Sequence, residues 1–436
     1  MRMISKLPMA IGLMILLSIF FQNQTVADDF DREPILYRDS EPQNAISRLQ
    51  KDLDFGKKKL THNDESGYLT SILTELKIPQ ESQTLVFSKT SLQRERISPQ
   101  TPRALYFNDD VYIGYCQSGD VVEISVADPK LGTVFYTLDQ EKVEKPTFIR
   151  QVDSCLLCHG GSQTQSVPGH LLRSVFTDAD GQPILASGTY RTDQSSDFKE
   201  RFGGWYVTGD MGNQVNLGNK IFNKRDSFRN INWEVGKNLH CLDSFCDTSA
   251  YPRKTSDVVA LMVLAHQAEM HNRITRANFQ TRQALHYEQA LNKGLGEKPD
   301  HRWPSTTSRI KSACEPLLEY LFFSNEIKLE SSIASDSGFM QAFQNQGPKD
   351  SKGRSLRQFH LKTRLFQYPC SYLIYSDSFR QLPDEAMNYI SRRLDEILSG
   401  EDKSEKFNHL SADDRTAIRQ ILDETWRPQK LIQRAE

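Results

Sequence analysis

Ala104-Leu105-Tyr106-Phe107-Asn108-Asp109-Asp110-Val111-Tyr112-Ile113-Gly114-Tyr115 decides how the first half of this chain folds. Two runs of aromatic and branched residues flank Asn108-Asp109-Asp110, whose short polar side chains bond their own backbone and suit a turn. A β-hairpin is expected there, and the pattern repeats on both sides. Residues 84–88 form a β-prone run, and residues 121–126 and 132–137 flank a turn at Asp128-Pro129. Further on, residues 171–176 and 183–187 flank Asp178-Ala179-Asp180-Gly181, and residues 203–209 read as a short strand between glycine turns.

The periodicity then changes. Residues 257 to about 292 keep one long helical pattern that Gly294 and Gly296 end, and shorter helices are expected over 310–323, 382–398 and 411–426. Ser411 and Asp414 fit a capping box, and Gly400 is a helix stop. Two short helices, over 43–53 and 68–76, precede the strands, while 298–308 and 347–354 read as loops. The fold class expected is α+β, with a hairpin-rich first half and a mainly helical second half. The chain divides into a leader (1–27), a helical segment (28–82), a β-rich region (83–220) and a mainly helical region (221–436).

The first residues have the build of a secretory signal. Arg2 and Lys6 are basic, residues 7–21 are largely apolar, and Thr25-Val26-Ala27 ends in a small residue suited to cleavage. The apolar run is shorter than the ~18–20 residues of a spanning helix. Export to the periplasm is therefore expected, with no integral span after cleavage. The alternative is an uncleaved amino-terminal anchor holding the chain on the periplasmic side. The formal charge of −2 in 436 residues, with no basic stripe, speaks against nucleic acid as a partner.

Between the strands lies Cys155-Leu156-Leu157-Cys158-His159, a C-x-x-C-H string. With seven Cys and ten His, a random chain of this composition would carry about 0.003 such strings. The spacing suits two thioether bonds to the vinyl groups of one porphyrin, with the next residue placing an imidazole under the iron. Rival uses of C-x-x-C are a redox pair and half of a zinc site. Export supports the porphyrin, because haem is joined to such thiols outside the cytoplasm. Of the remaining cysteines, Cys241 and Cys246 are the natural disulfide pair, and Cys314 with Cys370 is a weaker one.

Cys155, Cys158 and His159 resemble the attachment site of c-type cytochromes, and the chain is similar to an uncharacterised family of secreted bacterial cytochrome-like proteins carrying one such motif. The resemblance implies one covalent haem c, His159 as proximal iron ligand, and one-electron transfer with a redox partner protein or a small oxidant or reductant. It does not extend to the small all-helical cytochrome c domain, because here strands precede the motif and a hairpin follows it. The alternative function is a peroxidase- or oxidase-like haem enzyme with an open or displaceable sixth position. Candidate distal ligands are Met211, in the glycine-flanked loop Gly209-Asp210-Met211-Gly212, then His170, and then His266 and His271 on the long helix. Arg173, Arg191 and Arg201 are candidates for pairing with haem propionates. Trp205 and Tyr206 are candidates for packing at the porphyrin edge.

Overall fold

Six strands pair antiparallel in the order in which the chain makes them: β1 (Thr84–Val86), β2 (Arg103–Phe107), β3 (Val111–Tyr115), β4 (Val121–Asp128), β5 (Gly132–Asp139) and β6 (Ile149–Gln151). The structure, a computed structural model, describes residues 29–224 and 226–426. The expected leader, 1–27, lies outside the described residues.

Register makes the sheet two-sided. Ala104, Tyr106, Ile113, Ile124, Val134 and Tyr136 face a core completed by α1 (Ala45–Asp54) and α2 (Leu69–Glu75), through Ile46, Leu49, Leu69 and Ile72. The opposite face carries two cross-strand rows. One is Phe107, Tyr112, Ser125, Phe135 and Gln151; the other is Leu105, Gly114, Glu123, Thr137 and Ile149. Phe107 and Tyr112 enter the core of the helical half, whereas Ile149 is 50% exposed.

A short helix, α3 (Leu156–His159), follows β6 directly, and a two-stranded ladder of β7 (Arg173–Val175) and β8 (Thr189–Arg191) comes next. The long helix α4 (Val258–Leu295) begins with the Asp257 side chain accepting from the Ala260 amide, a cap worth ~1 kcal/mol. Its run Val258–Leu264 is buried on every side, because α4 packs between the sheet and the other helices. Those are α5 (Pro304–Leu321), α6 (Phe339–Gln344), α7 (Asp377–Arg380), α8 (Asp384–Ser399) and α9 (Ala412–Thr425). The arrangement is α+β, with the antiparallel sheet in the first half and the helices in the second, unlike a small all-helical domain.

Three local differences from expectation have physical causes. Pro183 has no N–H for a ladder, so only a Thr177–Pro183 bridge forms; Leu185–Ser187 is a 3₁₀ turn, and pairing resumes at β8. Residues 203–209 make isolated bridges from Trp205 to Val86 and from Thr208 to Asp257 instead of a strand. Gly204, at φ +79°, passes so close to Ser88 that a Cβ would stand 2.6 Å from the serine Cβ. Pro304 occupies the first turn of α5 and starts that helix within the expected loop. Among the described residues no helix is long and apolar enough to cross a membrane.

Candidate cofactor-attachment site

Leu156 is buried in the hydrophobic cluster that also holds Phe135, and it fixes the α3 turn. Its neighbours face outward: Leu157 is 86% exposed, Cys158 is exposed and Cys155 is half-buried. All seven cysteines are free thiols, so the expected Cys241–Cys246 bridge is not formed; Cys246 is buried in the same core while Cys241 faces solvent. Cys314 and Cys370 are likewise separate buried thiols.

The His159 ring is held from one side. Its Nδ1 lies 3.0 Å from the Gly169 carbonyl oxygen. A carbonyl only accepts, so Nδ1 carries the hydrogen and Nε2 keeps its lone pair. Nε2 has no hydrogen-bond partner among the described residues. Burial lowers the imidazole pKa, opposed by the Gly169 bond, and favours the neutral form that binds a metal. The ring packs on Phe135 with centroids 5.0 Å apart, which places the motif over the mixed face of the sheet.

Helix α4 sets the position of Gly169. Asn272 Oδ1 accepts from the His170 amide at 2.8 Å, and Asn272 Nδ2 donates to the His170 carbonyl at 2.8 Å. A Cβ on residue 169 would stand 2.3 Å from Asn272 Oδ1, so the clamp requires glycine. The Gly169 amide donates to the His159 carbonyl at 2.9 Å. Glu269, ion-paired with Arg273, accepts from Gln165 Nε2 at 3.0 Å and ties the loop after the motif to the same helix.

Each candidate distal ligand and propionate partner has a protein partner in the structure. His170 is buried beneath the motif loop, with Nε2 3.1 Å from Ser125 Oγ and Nδ1 3.2 Å from Thr133 Oγ1. His266 has Nδ1 on Gln194 Oε1 and Nε2 on Ser371 Oγ, each at 2.7 Å. His271 Nε2 donates to the Asp109 carbonyl at 2.8 Å. Met211 is buried in the helical core, its sulfur accepting from Asn216 Nδ2 at 3.2 Å. Arg201 donates to the carbonyls of Gln194 and Ser196, Arg173 donates to Thr189 Oγ1, and Arg191 pairs with Asp193 and Glu269. Trp205 Nε1 donates to the Arg173 carbonyl and the Tyr206 hydroxyl to that of Pro99.

Two charged residues that the sequence did not single out share the sheet face with Phe135. Arg103 Nη2 donates to Glu123 Oε2 at 2.7 Å, and Gln93 Nε2 lies 3.2 Å from Glu123 Oε1. Both belong to the charge environment of Cys155 and His159.

These features bear on the rival uses of the motif. Burial pushes the Cys155 thiol up to about 11, which disfavours the thiolate that a dithiol redox pair needs. Among the described residues, no group of three or more Cys, His, Asp or Glu side chains converges on a metal-sized point. Thioether attachment along a ring edge needs no such convergence. No protein-family model, no curated protein and no solved structure matches this chain.

Proposed function

We propose that this chain is an exported haem protein that transfers single electrons through one haem c joined at Cys155 and Cys158. The observation that carries the reading is the His159 imidazole. It is held at Nδ1 by the Gly169 carbonyl, with burial favouring the neutral form, and is left with a free Nε2 immediately after two free thiols. Gly169 fixes the tautomer and supplies the second-shell bond that ligating histidines need. A haem bound here supplies a one-electron iron couple whose potential follows the axial ligands, nearby charge and exposure. Cys155 and Cys158 would hold the porphyrin edge, His159 would ligate on the proximal side, and Phe135 would limit rotation of the imidazole.

One observation favours the second reading, an enzyme with an open or displaceable sixth position. His170 and His266 each have both ring nitrogens engaged, and the Met211 sulfur is engaged in a different core. Visible spectra of the purified holoprotein, oxidised and reduced, with and without carbon monoxide, decide between the two. A low-spin spectrum indifferent to carbon monoxide supports the carrier. Ready formation of a carbonyl adduct, together with turnover of peroxide, supports the enzyme and overturns the carrier.

A further inference from the structure

Arg103 and Glu123 form a pair on the sheet face next to the motif, with side chains only 16% and 14% exposed. The pair is not closed. Arg103 gives Glu123 only Nη2; its Nε is buried without a partner and its Nη1 makes no hydrogen bond among the described residues. A buried N–H left unpaired is destabilising, so the guanidinium has unused capacity for an anion. Its position is shaped by Gly114, the centre of the row Leu105, Gly114, Glu123 and Thr137. A Cβ on residue 114 would lie 2.1 Å from Nη2 and 2.8 Å from Nε, so the guanidinium lies across a place that only glycine leaves open. Glu123 is two residues from Ser125, the cross-strand partner of Phe135, and Phe135 touches His159. The forked donor therefore stands on the face to which the imidazole is packed.

We infer that Arg103, held across Gly114 by Glu123, is the guanidinium that receives a carboxylate of the porphyrin attached at Cys155 and Cys158. This rests on the haem reading above. Nη1 and the second hydrogen of Nη2 form the end of the planar guanidinium that matches a carboxylate, and the Nη2 bond to Glu123 fixes its plane before the ligand arrives. The two charges also act on the iron with opposite sign. A nearby positive charge disfavours the ferric form, so losing it lowers the midpoint potential; losing a nearby negative charge raises it.

The test is redox titration of holoprotein matured with its haem, comparing wild type with Arg103→Leu, Arg103→Lys, Glu123→Gln and, as a remote charge control, Arg419→Leu. Expected are a lower potential for Arg103→Leu, a smaller drop for Arg103→Lys, a higher potential for Glu123→Gln and no change for the control. The propionate bending band in the resonance Raman spectrum should move in Arg103→Leu and not in the control. If Arg103→Leu does not fold, the Lys and Gln variants still give the sign test. Wild type without covalent haem sinks the functional reading and this inference together. Loaded variants whose potentials stay put, or all move the same way, sink this inference alone.

Discussion

Asn272→Ala separates the clamp on the motif from general packing. In wild type one side-chain amide serves both backbone groups of His170, at 2.8 Å each, in a buried setting. Alanine leaves an N–H and a C=O without those partners. At ~1–3 kcal/mol for each stranded group, partly offset by relaxation of the loop, the expected loss is roughly 2–4 kcal/mol. Urea unfolding at fixed pH, with the slope checked for constancy, measures it. Asn272→Asp keeps an acceptor for the His170 amide but sets a buried carboxylate against the His170 carbonyl and Glu269, and should destabilise at least as much as alanine. The clamp also predicts a local signature: once residue 169 moves, the Nδ1 bond of His159 weakens and the haem spectrum changes. A loss below ~1 kcal/mol with an unchanged spectrum would refute the claim that Asn272 positions the imidazole through Gly169.

Met211→Ala should cost ~2–5 kcal/mol in thermal or urea unfolding, because a buried side chain of the helical core is removed, and should leave spin state and potential as they were. A changed spin state would instead make Met211 an axial ligand. Burial lowers the His266 pKa to about 3, so its neutral form contributes stability that is fully present above an ordinary imidazole pKa of about 6.5 and is lost as pH falls toward 3. Between pH 6.5 and 4, His266→Gln should therefore show a shallower stability loss than wild type, by up to ~1.4 kcal/mol per pH unit; parallel curves would contradict the burial argument. Cys158→Ala should leave one thioether, through the half-buried Cys155, detected as an altered reduced pyridine haemochrome band.

The sheet was readable because its rules are local. Asn108-Asp109-Asp110 and Asp128-Pro129 punctuate runs whose alternation matches the faces they adopt, and β2 to β5 form where expected. The long helix and the Ser411–Asp414 capping box were readable for the same reason. The surroundings of the motif were not. Asn272 acts on a residue 102 positions earlier, and nothing in His271-Asn272-Arg273 marks the asparagine as a clamp. Arg103 and Glu123 share the face of Phe135 only through the register of the sheet, which no local signal sets. The protein partners of His170, His266 and His271 were equally illegible, because tertiary packing supplies them from distant segments.

Intact-mass measurement of the protein, made together with a working cytochrome maturation apparatus and unfolded in acid before analysis, tests the central claim most directly. The prediction is a single added mass of one haem that survives unfolding and is lost when both Cys155 and Cys158 are replaced by alanine. Unmodified polypeptide in the wild-type sample, under conditions that load a control cytochrome c, would contradict it.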